Sequence, residues 1–359
     1  MNDDFYKKEL LSGGIFVVLI GVACIMSMFY TKPALSRVET PVARDLLQGK
    51  WCSQFENSFR QTFPINTASR NLWGRAEYAF FHEGRKGVVI GTNGWLFTDE
   101  EFSCPAKAAQ NLDENLDFIH NTQKTLAQKN TRLAVVLVPE KARIFSAYTG
   151  QNSLPACRKD LYATIHDFLL LKGIVTTNLL PAMHASPAHE SLYLKTDTHW
   201  SPAGARLAAQ VTAQLVHVSF NDLELESNTF LSQKEDEKDY EGDLTHYIPG
   251  VSIQPDHIVN YVSSVAVASA GAPQDLFADS TPSVALVGTS YSFNPAWNFE
   301  GFLKEALKTD VLNMSDEGLG PLVVMDKYLK SAEWNNTPPR LLIWEIPERY
   351  LVMPHGVAS

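Results

Sequence analysis

Asp197 and His199 stand two apart in the segment LYLKTDTHWSPAG. In an extended stretch, residues i and i+2 project to the same side. A carboxylate placed there can hold an imidazole in one tautomer and stabilise the imidazolium that forms when the ring accepts a proton. Trp200 follows directly, a large aromatic able to wall the ring off from water. The second segment is VALVGTSYS, an apolar run that ends in Gly288-Thr289-Ser290. Glycine permits a sharp turn and lifts Ser290 out at the strand tip. A serine hydroxyl is a poor nucleophile until a base takes its proton, and His199 is a base that could do so. The three residues together have the makings of acyl transfer through a serine ester. Each also has a plainer reading: Asp197 as a turn cap, His199 as a surface residue, Ser290 as an ordinary turn serine.

The elements that must position these groups follow from the period of the apolar residues. GVVIGTNGWLFTD predicts a β-hairpin turning at Asn93-Gly94. NLDENLDFIHNTQKTLAQK reads as a helix and RLAVVLVP as a buried parallel strand. RKDLYATIHDFLLLKG is helical, IVTTNLL a short strand, and SPAGARLAAQVTAQLV a helix capped by Ser201 with Pro202 in its first turn. PSVALVGTS, TDVLNM and RLLIWEIP are strands, separated by the helical NPAWNFEGFLKEALK and GPLVVMDKYLKS. Strands alternating with helices predict an α/β, doubly wound parallel sheet, whose functional groups gather beyond the carboxyl ends of its strands. About 221–282 reads as an insertion, an irregular charged stretch (QKEDEKDYEGDL) followed by β-like HIVNYVSSVAVAS, and is expected to form a small β-element bordering the site. The carboxylates of EDEKDYEGD are expected in a solvated loop, and their spacing matches no EF-hand. Most tryptophans, among them Trp73, Trp95, Trp297, Trp334 and Trp344, are expected in the core.

The chain has 359 residues, 45% hydrophobic and 19% charged, enough to bury a sizeable core. Its formal net charge of −10, with no basic stripe, excludes nucleic acid as a partner. From Ser12 to Thr31 there is no charged residue. About 20 such residues just span the hydrocarbon core of a bilayer. Lys32 and Pro33 follow at once, and Ala34-Leu35-Ser36 is a weak cleavage site, so an uncleaved anchor is expected over a signal peptide. The organisation expected is a cytoplasmic tail (1–11), a transmembrane helix (12–31), a helical juxtamembrane region (32–75) and a globular domain (76–359) in the periplasm. Of four cysteines, Cys24 lies in the span. Cys52, Cys104 and Cys157 would face an oxidising space where one pair can bridge, and the sequence does not choose which. No Cys/His pattern points to a metal. His184 and His189 flank a Ser-Pro turn without a partner ligand.

TDTHW with the following S-x-x-G, and the late GTSYS, resemble the alginate O-acetyltransferase AlgJ/AlgX family, an SGNH-hydrolase-like group. GVVIGTNGWLF, VVLVPEKARIF, YEGDL, VLNMSDEGLGP and LLIWEIPERYL extend the likeness over roughly 45–353. The chain ends soon after its last motif and so resembles the shorter, membrane-anchored AlgJ type. The resemblance implies an SGNH-like fold and a triad of Ser290, His199 and Asp197. It further implies transfer of acetyl to a polysaccharide hydroxyl, and an inner-membrane partner, a membrane-bound O-acyltransferase, that supplies the acetyl group. No cofactor is expected. The backbone N–H of Ser290 or Tyr291 would serve the oxyanion, with Gly318, Gly320 or Asn313 as further candidates. Tyr291 and Arg349 are candidates for sugar or oxyanion contacts. Lys141 reads either as a residue at the rim of the site or as an ordinary solvated lysine. An esterase or deacetylase of the same fold, or a non-catalytic scaffold of an export complex, are the alternatives.

Overall fold

A computed structural model describes residues 3–266 and 282–356. Its contacts divide the chain into two units, 1–81 with 249–251, and 82–248 with 252–359. The first unit is helical. Its opening helix, Asp3–Leu35, contains a 23-residue stretch, Gly13–Leu35, that is long and apolar enough to cross a membrane. Shorter helices follow at Ala43–Leu47, Lys50–Thr62 and Pro64–Phe81. Gly49, in the left-handed region, separates the first two of these.

The second unit holds the strands. β1 (Val88–Ile90) and β2 (Leu96–Thr98) form the expected antiparallel hairpin, with Asn93 and Gly94 both left-handed at its turn. β3 (Arg132–Val138) and β4 (Val175–Thr176) follow, then β5 (Phe230–Tyr240) and β6 (Asp256–Val265). β7 (Val284–Val287), β8 (Val311–Asn313) and β9 (Leu341–Pro347) complete the set among the described residues. β4-β3-β9-β7-β8 is one sheet, parallel throughout. Side chains alternate through it. Ala134, Val136, Leu286 and Ile343 join the core beneath helices Pro202–Ser219 and Phe299–Leu307. Val135, Leu137, Val287 and Trp344 join the core on the opposite face, beneath Ala108–Gln128, Leu161–Leu171 and Pro321–Leu329. Both faces are covered, which is why these strands read as unbroken apolar runs.

The insertion forms a β-element, as expected, and departs from expectation in its charged stretch. QKEDEKDY is not irregular: it forms most of β5, paired antiparallel with β6 through a register shift between Lys234 and Glu237. Eight of the eleven residues of β5 are exposed, so no apolar alternation marks it. Ladder hydrogen bonds to β6 decide its conformation over its poor strand propensity. The part of the expected insertion over 267–281 lies outside the described residues.

Candidate active site

β7 runs into Gly288, Thr289 and Ser290 at its carboxyl end. Ser290 opens a single helical turn, Ser290–Phe293, capped by Thr289, whose Oγ1 accepts from the Tyr291 N–H at 3.3 Å. Glu345, fully buried on neighbouring β9, anchors the turn. Its carboxylate accepts from the Thr289 N–H (2.7 Å), the Thr289 hydroxyl (3.0 Å) and the Ser292 hydroxyl (3.1 Å). A Cβ at position 288 would lie 2.5 Å from Glu345 Oε2 and 2.7 Å from Ser292 Oγ, so only glycine fits. Burial pushes the Glu345 carboxyl up to about 7, against the hydrogen bonds it accepts.

The Asp-x-His segment precedes helix Pro202–Ser219, which Ser201 caps by accepting from Ala203 N and Gly204 N. His199 Nδ1 lies 2.6 Å from Asp197 Oδ1, and His199 Nε2 lies 2.7 Å from Ser290 Oγ. A carboxylate only accepts, so Nδ1 carries the proton and Nε2 turns its lone pair to the serine. Asp197 also accepts from the backbone N–H groups of His199 (2.8 Å) and Asp243 (2.9 Å). Burial alone would raise its pKa. The hydrogen bond and charge of His199, with those two N–H groups, overcome this and bring it down to about 2. The His199 ring is flanked by Trp297, stacked at 5.4 Å, and Tyr291 at 4.7 Å.

Asp197, His199 and Ser290 line one cavity of about 730 Å³, together with Asp243, Asn294 and Arg349. Of the other expected residues, some are there and some are not. Arg349 borders the cavity, donates to the Tyr291 hydroxyl at 3.0 Å and lies 3.2 Å from Glu100 Oε2. Gly318 also lines it, whereas Gly320 does not. Tyr291 is buried away from the cavity. Its hydroxyl donates to Thr198 O at 2.8 Å, so its work is to hold the Asp-x-His segment. Its N–H is taken by Thr289, while the Ser290 N–H has no acceptor among the described residues. Asn313 is displaced too. It faces a neighbouring pocket, where its amide donates to Ser292 O and Glu300 and its oxygen caps Ser315 N. Trp200 supports Tyr291, whose carbonyl it binds at 3.1 Å, and Trp297, expected only as a core residue, takes the place beside the imidazole expected of Trp200.

Three residues escape the sequence reading. Asp243, expected in a solvated loop, accepts from the Thr198 N–H at 2.8 Å inside the cavity. Burial, and then the charge of Asp197, raise its pKa. The signal was the glycine punctuating the acidic run: a Cβ on Gly242 would meet Thr196 O at 2.2 Å. Asn294 sits one helical turn beyond Ser290, on the same face. Its oxygen accepts from Ala296 N, leaving its amide nitrogen without a partner among the described residues. Lys141 is neither at the rim nor solvated. It is buried, and its ammonium donates to the carbonyls of Leu96 (2.5 Å), Lys195 (3.0 Å) and Asp197 (2.8 Å).

Asp197, His199 and Asp243 are also the one cluster of metal-type donors among the described residues. The 2.6 Å between His199 Nδ1 and Asp197 Oδ1 is a hydrogen-bond distance. Two ligands sharing a tetrahedral zinc ion stand about 3.3 Å apart, from bonds of about 2.0–2.1 Å.

A family model for the SGNH hydrolase-like domain of the acetyltransferase AlgX matches residues 88–348. This chain belongs to that AlgX acetyltransferase family. A protein of Pseudomonas syringae pv. tomato named "probable alginate O-acetylase AlgJ" is 36% identical over 340 residues, which span 93% of this chain and 86% of that protein. A Pseudomonas aeruginosa protein of the same name is 39% identical over 329 residues, 88% and 83% of the two. Among solved structures, the O-acetyltransferase domain of Pseudomonas putida AlgJ superposes with a TM-score of 0.69 at 36% identity, covering 76% of this chain and 94% of that one. The AlgX-family match begins at Val88, the first residue of β1, and ends at Glu348, one residue past β9. It therefore contains the whole parallel sheet, the inserted hairpin and every residue that lines the triad cavity except Gly87 and Arg349.

Proposed function

We propose that this protein is a membrane-anchored O-acetyltransferase that passes an acetyl group through Ser290 to a hydroxyl of an exported, alginate-like polysaccharide. The observation that carries the reading is the unbroken relay from Asp197 through His199 to Ser290, opening on a cavity large enough for a sugar residue. His199 Nε2 takes the Ser290 proton as Oγ attacks the acetyl carbonyl. The donor's leaving group departs with that proton, and Ser290 is left as its acetyl ester. A polysaccharide hydroxyl then attacks the ester carbonyl, giving its proton to His199, and Ser290 is restored. Asp197 stays ionised throughout and stabilises the imidazolium in both half-reactions. The Ser290 N–H and the Asn294 amide, both without an acceptor among the described residues, serve as the oxyanion donors in this reading. No resident metal or cofactor enters this scheme. The polymer follows from the names of the relatives. The acetyl supply from a membrane-bound O-acyltransferase follows from the family resemblance. An extracytoplasmic site agrees with the apolar N-terminal helix and with a disulfide between Cys104 and Cys157.

The test is intact-mass spectrometry of the protein after exposure to an activated acetyl ester. Wild type should gain one acetyl group and lose it to added polymannuronate oligomers, which become acetylated. Ser290→Ala should gain none and turn over slower by on the order of 10⁴–10⁶. Acetylation of the alanine variant at wild-type rate would sink the assignment. Discharge equally fast without sugar would make the protein an esterase.

A further inference from the structure

The helical unit carries an apolar surface that is exposed among the described residues, and its position is set by the long N-terminal helix. Helix Lys50–Thr62 returns along the end of that helix. Ser58 Oγ donates to Ala34 O at 2.8 Å, and the Phe63 ring meets Tyr30 edge-on at 5.9 Å. Residue 58 faces 34 and residue 63 faces 30, so the two helices run antiparallel. The return helix therefore descends, and the Phe63-Pro64 junction reaches the level of Tyr30, inside the apolar stretch Gly13–Leu35. Helix Pro64–Phe81 starts from that depth. At about 100° per residue, Ile65, Leu72, Trp73 and Phe80 fall on one side of it. In a surface helix of a globular protein that side would face the core. Here Leu72 is 72% exposed, Trp73 63% and Phe80 81%. The Trp73 indole N–H is held by Glu77, so its polar end has a partner while its ring stays open. Arg70 and Arg75 flank the stripe at roughly 110° on either side. Both are exposed in a chain whose net charge is −10, and Arg75, whose Nε donates to Gly250 O at 2.5 Å, keeps its two terminal nitrogens without a partner among the described residues.

We propose that helix Pro64–Phe81 lies in the lipid–water interface of the bilayer crossed by the chain's own N-terminal helix. Ile65, Leu72, Trp73 and Phe80 enter the acyl boundary, and Arg70 and Arg75 reach the lipid phosphates. A helix with one apolar face bearing Trp, Phe and Leu and with arginines beside it has the composition of an interfacial helix. Its long cationic side chains extend from an apolar surface to a polar one. The proposal rests on the reading of Gly13–Leu35 as an uncleaved anchor.

Site-directed spin labelling of the full chain, in vesicles of phosphatidylethanolamine and phosphatidylglycerol, tests it. The free cysteines Cys24 and Cys52 are first changed to alanine. Single labels then go to Leu72→Cys and Phe80→Cys on the apolar side, Thr67→Cys on the opposite side, and Val22→Cys in the span. Collision with oxygen reports lipid, and collision with a nickel chelate reports water. The labels at 72 and 80 should have oxygen-to-nickel ratios severalfold above that at 67 and approaching that at 22. If 72 and 80 are as wet as 67, or shielded from both reagents by protein, while 22 is in lipid, the interfacial helix is wrong and the anchor stands. A label at 22 outside lipid removes the anchor, and this proposal with it.

Discussion

Lys141 is an ammonium without a carboxylate in ion-pairing reach among the described residues, held instead by three main-chain carbonyls, one of them that of Asp197. Trp95 and Phe97 lie about it at 5.3 and 5.2 Å. Burial brings its pKa down to about 8, against the raising influence of Glu101 and Asp197. Below that pH three N–H donors meet three carbonyls. Above it one proton leaves and one carbonyl loses its partner. Lys141 is thus a positioning residue, and turnover should decline as pH rises through about 8. Lys141→Met should lower kcat by about 10²-fold, the order expected for a misplaced catalytic group, with KM little changed and that alkaline decline gone. A pH–rate profile on each protein, with circular dichroism to check folding, decides it: the same alkaline limb in the variant would reject the role. At this scale Asp197, His199 and Ser290 are legible in the sequence because side-chain type and spacing carry their chemistry. Lys141 is not, because its partners are carbonyl groups that every residue has. Tyr291 misleads for a related reason: its place beside the nucleophile suggests substrate contact, and its hydroxyl turns out to be spent on Thr198 O.

Among the elements, β7 and β9 do most to build the site, and the long apolar runs that predict them leave little room for error. Glu345 is the exception within β9. It lies on the same face as Leu341 and Ile343, where the period calls for an apolar residue, because the Gly288 turn needs an acceptor there. Its carboxyl is raised from 4.5 to about 7. The stability that the protonated form contributes is therefore complete below 4.5 and lost as pH rises through about 7. Glu345→Gln cannot ionise. Between pH 5 and 8 the wild type should lose on the order of 3 kcal/mol more unfolding free energy than the variant. Urea titrations at the two pH values measure this, and equal losses would show that Glu345 ionises freely in the fold. The variant's amide would point a donor at two hydroxyls that now donate to Glu345, so the turn should loosen and acetylation slow. β5 marks the limit of pattern reading. Its charges give no period, and only its pairing with β6 makes it a strand.

For the whole molecule, the parallel sheet, the hairpin and the apolar N-terminal helix are legible because each depends on a run of residues. The disulfide is not, because it depends on where two distant loops come to rest. Cys104 and Cys157 pair across 53 residues, and Cys52 stays free and exposed. Next to Cys157, buried Arg158 donates to Ser103 O at 2.7 Å and to Glu140 at 2.5 Å, so the bridge fastens a network that already joins the two loops. Cys157→Ser should lower unfolding free energy by about 2–5 kcal/mol. Thiol titration of the unfolded wild type should count two free thiols before reduction and four after, and four without reductant would refute the bridge. The same preference for main-chain anchorage governs how this protein can diverge. Thr198 is fixed by its N–H to Asp243 and by its carbonyl to Tyr291, while its side chain borders the cavity, where its hydroxyl also hydrogen-bonds the Asp243 carboxylate. A substitution at 198 gives up that hydroxyl contact and keeps both main-chain anchors of the segment that carries the imidazole. The wall of the cavity can thus change at this point while the relay from Asp197 through His199 to Ser290 stays in register.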